Sequence, residues 1–151
     1  MSLKNYTSEI SVDRSISLIE GELVRAGAEH IAKSYADGQA AGITFAIQVD
    51  GQRILFRLMA DVDKVEKILR VDRNPKVLGR PGVLENLQKQ AARTAWKILY
   101  DWVTVEVARI RIRGVSPIEA FLAYVYDGKN DQTYFEKLKQ QKYKALLGDG
   151  R

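Results

Sequence analysis

A run of 31 residues without glycine or proline, residues 83–113, constrains the fold of this chain more than any other feature. Its apolar side chains recur at intervals of three and four residues, which predicts a helix. At a rise of about 1.5 Å per residue, such a helix would extend for roughly 45 Å, which is longer than a domain of this size is wide. We therefore expect one long helix, straight or bent, that packs partly against a second copy of the chain in a homo-oligomer, most simply a dimer.

The N-terminal region is predicted to contain one strand and one helix before residue 27. A short β-prone run at residues 6–10 predicts an edge strand. Residues 12–26 carry apolar side chains at helical spacing, with Ser11 as a candidate N-cap and Gly27 just beyond the last turn. This pattern predicts an amphipathic helix.

A β-meander is predicted next. Its three β-like runs lie at residues 30–35, 42–49 and 53–59. The Asp-Gly dipeptides that separate them favour tight turns, so the strands are expected to be antiparallel. The first helix can cover one face, which carries Ile43, Phe45, Ile47, Val49, Ile54, Phe56 and Leu58. The opposite face mixes Arg53 and Arg57 with Leu55 and Met59, so we expect another helix or subunit to cover some of it.

The chain after residue 60 is predicted to be helical. Asp61 is a candidate cap for a helix over residues 62–71, whose apolar stripe is formed by Val62, Val65, Ile68 and Leu69. Residues 73–82 contain two prolines and two glycines and predict the main loop. Capping boxes at residues 116–119 and 133–136 predict two more helices, the first of which would continue through residue 126.

These elements predict one α+β domain over residues 1–151. Residues 1–60 are expected to form a small antiparallel β-meander packed with an N-terminal helix, and residues 61–151 a helical C-terminal half with one long helix. No linker is long enough to divide the chain into separate domains.

The residue inventory excludes much catalytic chemistry. The chain has no cysteine and a single histidine, His30, so it lacks a thiolate nucleophile and the ligands of Cys- or His-rich metal sites. It also lacks the glycine-rich phosphate loops of Rossmann and P-loop folds. We expect no catalytic residues, no metal and no cofactor, which favours a non-enzymatic protein.

The sequence also predicts a cytoplasmic protein with no membrane partner. It contains neither a secretory signal nor the run of roughly 20 apolar residues that a membrane span requires.

Positive charge is concentrated between residues 64 and 97. This segment holds nine basic and three acidic residues, a net charge of +6, whereas the net charge of the whole chain is +5. The basic side chains are those of Lys64, Lys67, Arg70, Arg73, Lys76, Arg80, Lys89, Arg93 and Lys97. The segment is therefore the expected contact for an anionic partner, unless it is only a solvated surface.

A candidate anion site lies within this segment and on the long helix. Gln90, Arg93, Thr94, Lys97 and Asp101 occupy relative positions 0, 3, 4, 7 and 11 and form one polar stripe on that helix. Tryptophans beside such a stripe can stack on a base, and a glycine-bearing loop before a helix can bind an anion. The predicted ligand-binding residues are Arg80, Lys89, Arg93, Trp96, Lys97 and Asp101. In the alternative interpretation, the tryptophans are core residues and Lys97 and Asp101 form a surface ion pair.

Residues 90–103 (QAARTAWKILYDWV) also carry a family resemblance. Together with NYT at 5–7, SISLIE at 15–20, GA at 27–28 and FL at 121–122, this stretch resembles an uncharacterised family of small proteins from phages, prophages and related mobile elements. The resemblance implies a context, the cytoplasm of a host cell, and no site residues. Small mobile-element proteins of this size include sponges for nucleotide signals in antiphage defence.

These observations favour a non-enzymatic accessory protein that binds a small anionic, nucleotide-like ligand, as a counter-defence sponge would. Two alternatives stay open. The basic segment 64–97 is consistent with a nucleic-acid-binding protein, and exposed apolar surface on the helical half is consistent with a module that binds a host protein.

Overall fold

The 31-residue helix α4 (Val83–Arg113) packs against four of the other helices. The computed structural model describes residues 2–148. Before α4 come α1 (Val12–Arg25), β1 (Ala28–Ala36), β2 (Gln39–Val49), β3 (Gln52–Met59), α2 (Val62–Val71) and α3 (Pro75–Leu78). After α4 come α5 (Pro117–Ala120), β4 (Tyr126–Asp127), β5 (Gln132–Thr133) and α6 (Tyr134–Gln140), with 3₁₀ turns at Leu122–Tyr124 and Lys144–Leu146. The predicted α+β fold and the long helix are confirmed.

Helix α1 has the predicted ends. The Ser11 hydroxyl accepts a hydrogen bond from the backbone N–H of Arg14 at 3.1 Å, and Gly27 follows the helix with a φ of +100°. A left-handed residue after the last turn favours glycine, which has no Cβ to clash. One face of α1, formed by Ile16, Ile19 and Leu23, is buried.

The three strands form an antiparallel sheet in the order β1-β2-β3. Both Asp-Gly turns have positive φ at both residues, which is the geometry of the tight turns that match the twist of a hairpin. The register pairs Phe45 with Phe56, and their rings stack with centroids 5.1 Å apart. The meander is therefore confirmed, with strands slightly longer than predicted.

The core lies between the sheet, α1 and α4. Phe121 packs edge-on against Phe45 and Phe56, at centroid distances of 5.7 and 5.9 Å. Trp96 and Val103 of α4 are fully buried in the same cluster as α1. The predicted apolar face of the meander thus forms the centre of the fold.

The predicted strand at residues 6–10 is wrong. Residues 4–7 form a turn, in which the Ser8 N–H donates to the backbone oxygen of Asn5 at 2.9 Å. Asn5 has a φ of +62°, which is outside strand geometry. The backbone of this segment is bound by side chains of α4 instead of by the sheet.

The predictions around α2 are partly wrong. Helix α2 has the predicted bounds, but Asp61 makes no capping hydrogen bond, and its carboxylate lies 3.6 Å from the Lys64 ammonium. Ile68 is 48% exposed and does not belong to the buried stripe. The predicted loop at 73–82 contains the short helix α3, which begins at Pro75 after the Asn74 cap.

The helix predicted from residue 117 to residue 126 begins at Pro117 after the Ser116 cap, as predicted, but its predicted end is wrong. It ends at Ala120, because Phe121 has a φ of −117° and turns into the core. Residues 126–133 form the small β4-β5 hairpin, which the sequence pattern did not predict. The capping box at the start of α6 is confirmed, since Thr133 and Glu136 exchange both hydrogen bonds.

Candidate functional site

The polar stripe on α4 binds the N-terminal segment, residues 4–8. Gln90 Nε2 donates to the backbone oxygens of Tyr6 and Ser8, at 2.8 and 3.1 Å. The Thr94 hydroxyl, which is fully buried, donates to the backbone oxygen of Asn5 at 3.0 Å. A backbone that lies outside helices and sheets needs such partners, and here α4 provides them.

Asp101 is the last residue of this stripe, at its C-terminal end. Its carboxylate lies 2.5 Å from the Lys97 ammonium and accepts a hydrogen bond from Asn5 Nδ2 at 2.8 Å. Lys4 lies 3.5 Å away on the exposed side. Partial burial on its own raises the pKa of Asp101, but the hydrogen bonds from Lys97 and Asn5 outweigh that effect and hold the pKa below its ordinary value.

A cleft of about 380 Å³ lies beside the other end of the stripe. The first turn of α1, the β1-β2 hairpin and the N-terminal third of α4 form its walls. Its floor is apolar, with Val12, Ile16 and Trp96. The Trp96 indole N–H donates to the backbone oxygen of Ala40, 3.3 Å away, which joins two of these walls.

Three cationic side chains from two elements line this cleft. They are Lys33 of β1, and Lys89 and Arg93 of α4, whereas Asp13 is the one carboxylate among the described lining residues. Lys33 lies 4.0 Å from Glu20, and Lys89 lies 3.4 Å from Glu85, with both pairs open to solvent. Exposed pairs of this kind are weak, so both ammonium groups can turn toward an anion at little cost.

Arg93 joins the cleft to the polar stripe. Its Nε donates to the backbone oxygen of Ser8 at 3.3 Å, and Nη2 donates to the Gln90 side-chain oxygen at 2.5 Å. The second terminal nitrogen, Nη1, has no hydrogen-bond partner among residues 2–148. The guanidinium is thus held in place while it retains donors for an anion.

Tyr35 supplies an aromatic surface at the edge of the cleft. It lies on β1 close to the hairpin turn and is 62% exposed, although a large aromatic ring is usually covered. A ring in this position can stack on a planar ligand group whose charged end faces the lysines.

The structure brings together half of the residues predicted to bind an anion. Lys89, Arg93 and Trp96 line the cleft, but Trp96 has no exposed surface and forms the floor instead of an open stacking face. Lys97 and Asp101 pair with each other beneath the N-terminal segment. Arg80 is exposed in the loop before α4 and does not line the cleft. The anion-binding role of this set stays a prediction.

Three of the charged and aromatic residues that line the cleft were missed by the sequence-based prediction: Asp13, Lys33 and Tyr35. Asp13 lies in the first turn of α1, where a carboxylate is stabilised by the positive end of the helix dipole. Its presence there therefore does not indicate a ligand. Lys33 and Tyr35 alternate on a strand just before an Asp-Gly turn, a pattern common to exposed strands. Their proximity to α4 depends on how the hairpin packs, which no local pattern indicates.

A larger groove of about 960 Å³ lies on the other side of α4. Its apolar surface is formed by Met59, Ile98, Leu99, Trp102, Tyr124 and Phe135. At its rim Arg57 pairs with Asp131 at 2.8 Å, and the Tyr126 hydroxyl donates to the same carboxylate at 2.5 Å. The hydrogen bond to Asp131 raises the pKa of Tyr126, so this phenol is poorly suited to act as a base. None of the residues predicted to bind an anion lines this groove.

Within residues 2–148, no helix is long and apolar enough to cross a membrane. The same residues contain no group of three or more His, Asp or Glu side chains arranged to hold a metal ion. Comparison with protein-family models, with curated proteins and with solved structures gives no match for this chain.

Proposed function

We propose that the chain is a non-enzymatic protein that binds a small anionic, nucleotide-like ligand in the cleft between α1, the β1-β2 hairpin and α4. The observation that supports this most is the convergence of Lys33, Lys89 and Arg93 on one concave surface against a single carboxylate. Cationic side chains repel each other, so a structure that groups them around a cavity gains most when an anion is bound.

The cleft favours a ligand with both a phosphate and a planar ring. Arg93 offers planar forked donors that match a phosphate, and the lysines add point charges. The exposed ring of Tyr35 offers a surface for a base. A volume of about 380 Å³ is at the lower end of the range for small-molecule sites, which suits a mononucleotide.

The proposed activity is sequestration without turnover. Among the cleft residues described, Ser11, Asp13, Tyr35 and the two lysines carry groups of the kind that act as nucleophile or base, and the Ser11 hydroxyl is engaged as the α1 cap. Such a protein would act in the cytoplasm, of the host cell if a phage encodes it, by lowering the free concentration of a nucleotide signal. Chromatography after prolonged incubation should recover the nucleotide unchanged, and accumulation of a product would contradict this aspect of the proposal.

Isothermal titration with AMP, ADP, GMP and pyrophosphate tests the binding. The variant K33Q/K89Q removes two charges from exposed positions and keeps the Arg93 contacts to the N-terminal segment. Because one charged hydrogen bond contributes roughly 1.5–3 kcal/mol, the affinity should fall more than tenfold. Y35A should reduce the affinity for nucleotides and leave that for pyrophosphate unchanged.

K129Q/K137Q provides the matched control, because it removes the same charge from exposed positions outside the cleft. Its affinity should stay within twofold of the wild type. Binding that is equal in K33Q/K89Q and wild type would place the site elsewhere. The absence of binding of any probe at millimolar concentration would refute the proposal.

We also propose that the chain forms a homodimer through the C-terminal half of α4. Ile98, Val105 and Ile112 recur every seven residues, and the last two are 57% and 83% exposed. An antiparallel pairing about Val105 places Ile98 of one copy opposite Ile112 of the other.

Light scattering during size-exclusion chromatography should therefore give twice the chain mass of 17.1 kDa. V105D should give the monomer mass, whereas V24D on the exposed face of α1 should not change the mass. A wild-type monomer at high protein concentration would contradict the dimer.

A further inference from the structure

A second cationic surface lies on α2, α3 and the loop that leads into α4. Lys67, Arg73, Lys76 and Arg80 are exposed there, and none of them pairs with a carboxylate within residues 2–148. Most other cations near this region are paired, such as Arg70 with Glu66 at 3.5 Å. We define these four residues as the basic corner.

Acidic side chains border the basic corner without neutralising it. Residues 64–80 hold six basic and two acidic residues, a net charge of +4. Asp61, Asp63 and Glu66 lie together on a separate groove, at the start of α2. Asp72 is the one carboxylate between the basic side chains. The local field of this surface is therefore positive.

The fold directs the basic corner outward. Val65 is buried and Leu69 is partly buried, so this face of α2 packs toward the core and α4. Lys67 lies on the opposite face, next to Ile68 and Val71, which is 82% exposed. The chain then folds into α3 and the loop, so that Lys76 and Arg80 follow Arg73 within seven residues. The four exposed charges thus lie within one stretch of fourteen residues, 67–80, that runs from α2 through α3 into the loop.

We propose that the basic corner binds the phosphate backbone of duplex nucleic acid without reading its sequence. A duplex presents about one negative charge per 1.7 Å of its axis, so several cations on one surface can be neutralised together. Residues 64–80, which carry the basic corner, include no Phe, Tyr or Trp, and aromatic rings are what the bases of single strands stack on. Its exposed apolar surface is limited to Ile68 and Val71, which is less than an interfacial membrane helix buries.

Fluorescence anisotropy with a labelled 20-base-pair DNA duplex of random sequence tests this proposal. If four phosphates are contacted, the affinity should fall about 150-fold between roughly 50 and 200 mM salt, which follows from a logarithmic slope of about −0.9 per contact. In K67Q/R73Q/K76Q/R80Q the affinity at low salt should fall at least thirtyfold, and its salt dependence should nearly vanish.

Two control variants test whether duplex binding depends on the basic corner itself, on the total charge of the chain or on the cleft. K129Q/K137Q/K139Q/K142Q removes the same charge from exposed positions in the C-terminal region, and should bind the duplex within threefold of the wild type. K33Q/K89Q should also bind the duplex as the wild type does. This result would show that duplex binding does not depend on the lysines of the cleft. Circular dichroism checks that each variant remains folded.

Three results would overturn the proposal. The variant K67Q/R73Q/K76Q/R80Q could bind the duplex as tightly as the wild type does. Single-stranded DNA of the same length could bind more tightly than the duplex. Vesicles with phosphatidylglycerol could bind through the same four residues while the duplex does not, which would make a membrane the partner.

Discussion

Replacing Thr94 with Val should destabilise the protein because it removes one hydroxyl and changes little else. The Thr94 hydroxyl is fully buried, donates to the backbone oxygen of Asn5 at 3.0 Å and accepts from Gln90 Nε2 at 3.2 Å. Valine has nearly the same shape, so the variant leaves those two groups without this partner and creates no cavity. The Asn5 oxygen keeps the Ser8 N–H, and Gln90 Nε2 keeps the oxygens of Tyr6 and Ser8, so the expected cost is that of one lost hydrogen bond, about 0.5–1.5 kcal/mol.

The expected loss can be measured as a shift in unfolding. With about 1 kcal/mol of destabilisation and a shift of roughly 2–4 °C per kcal/mol for a chain of this size, the Tm should fall by about 2–4 °C. Urea unfolding gives the free energy directly. Amide exchange should also show that Ser8 loses protection, because its N–H donates to the Asn5 oxygen within the released turn.

Thr104 provides the matched control on the same helix. Its hydroxyl donates at 2.9 Å to the backbone oxygen of Tyr100, one turn earlier in α4, and joins no distant segment. T104V should therefore stay within about 0.5 kcal/mol of the wild type. If T94V is no less stable than T104V and Ser8 remains protected, the polar stripe does not hold the N-terminal segment.

Other predictions follow from single contacts. G42A should lose roughly 1–3 kcal/mol in urea unfolding, because a Cβ there would lie 2.6 Å from Met59 Sδ and 2.7 Å from the Leu58 backbone oxygen. G21A should raise the free energy of unfolding by about 0.5–1 kcal/mol, because a Cβ at this helical position has no atom within 4 Å. Equal stabilities of G42A and G21A would contradict the close packing at Gly42. The hydrogen bonds from Lys97 and Asn5 hold the pKa of Asp101 below its ordinary value, so the stabilisation by Asp101 is present above the unfolded pKa and is lost as the pH falls through the folded pKa. The difference in unfolding free energy between wild type and D101N should therefore shrink as the pH is lowered through the folded pKa of Asp101, and a constant difference would exclude this role.

Regular elements with strong local signals were predictable from the sequence. Residues 83–113 have helical spacing without a breaker, and the structure has a helix with those bounds. The Asp-Gly dipeptides fixed the hairpins because both residues adopt positive φ. Ser11 and Thr133 are caps whose side chains satisfy the free N–H groups of a first turn.

The elements that depend on distant contacts were not predictable. Residues 6–10 have β-prone side chains, but Gln90 and Thr94 bind this backbone in another conformation. The β4-β5 hairpin has strands of two residues, too short for any period to appear. Its loop contacts β3 through the ion pair of Arg57 with Asp131, which lie 74 residues apart.

The candidate site was only partly predictable for the same reason. Helical spacing placed Lys89, Arg93 and Trp96 on one element, and all three line the cleft. Helical spacing also grouped Lys97 with them, although the N-terminal segment covers that end of the stripe. Lys33 and Tyr35 belong to the cleft through the packing of the hairpin on α4, which is a property of the tertiary structure alone.

The two tryptophans allow the most direct test of the proposed binding cleft. Trp96 forms the floor of the cleft, and Trp102 lines the larger groove on the other side of α4. Their indole N–H signals are resolved in a ¹⁵N correlation spectrum and can be assigned with W102F. Titration with AMP or ADP should shift the Trp96 signal, whose N–H donates to Ala40 at the cleft wall, and leave the Trp102 signal in place. A shift of Trp102 alone, or no shift of either signal at millimolar nucleotide, would contradict a nucleotide site in this cleft.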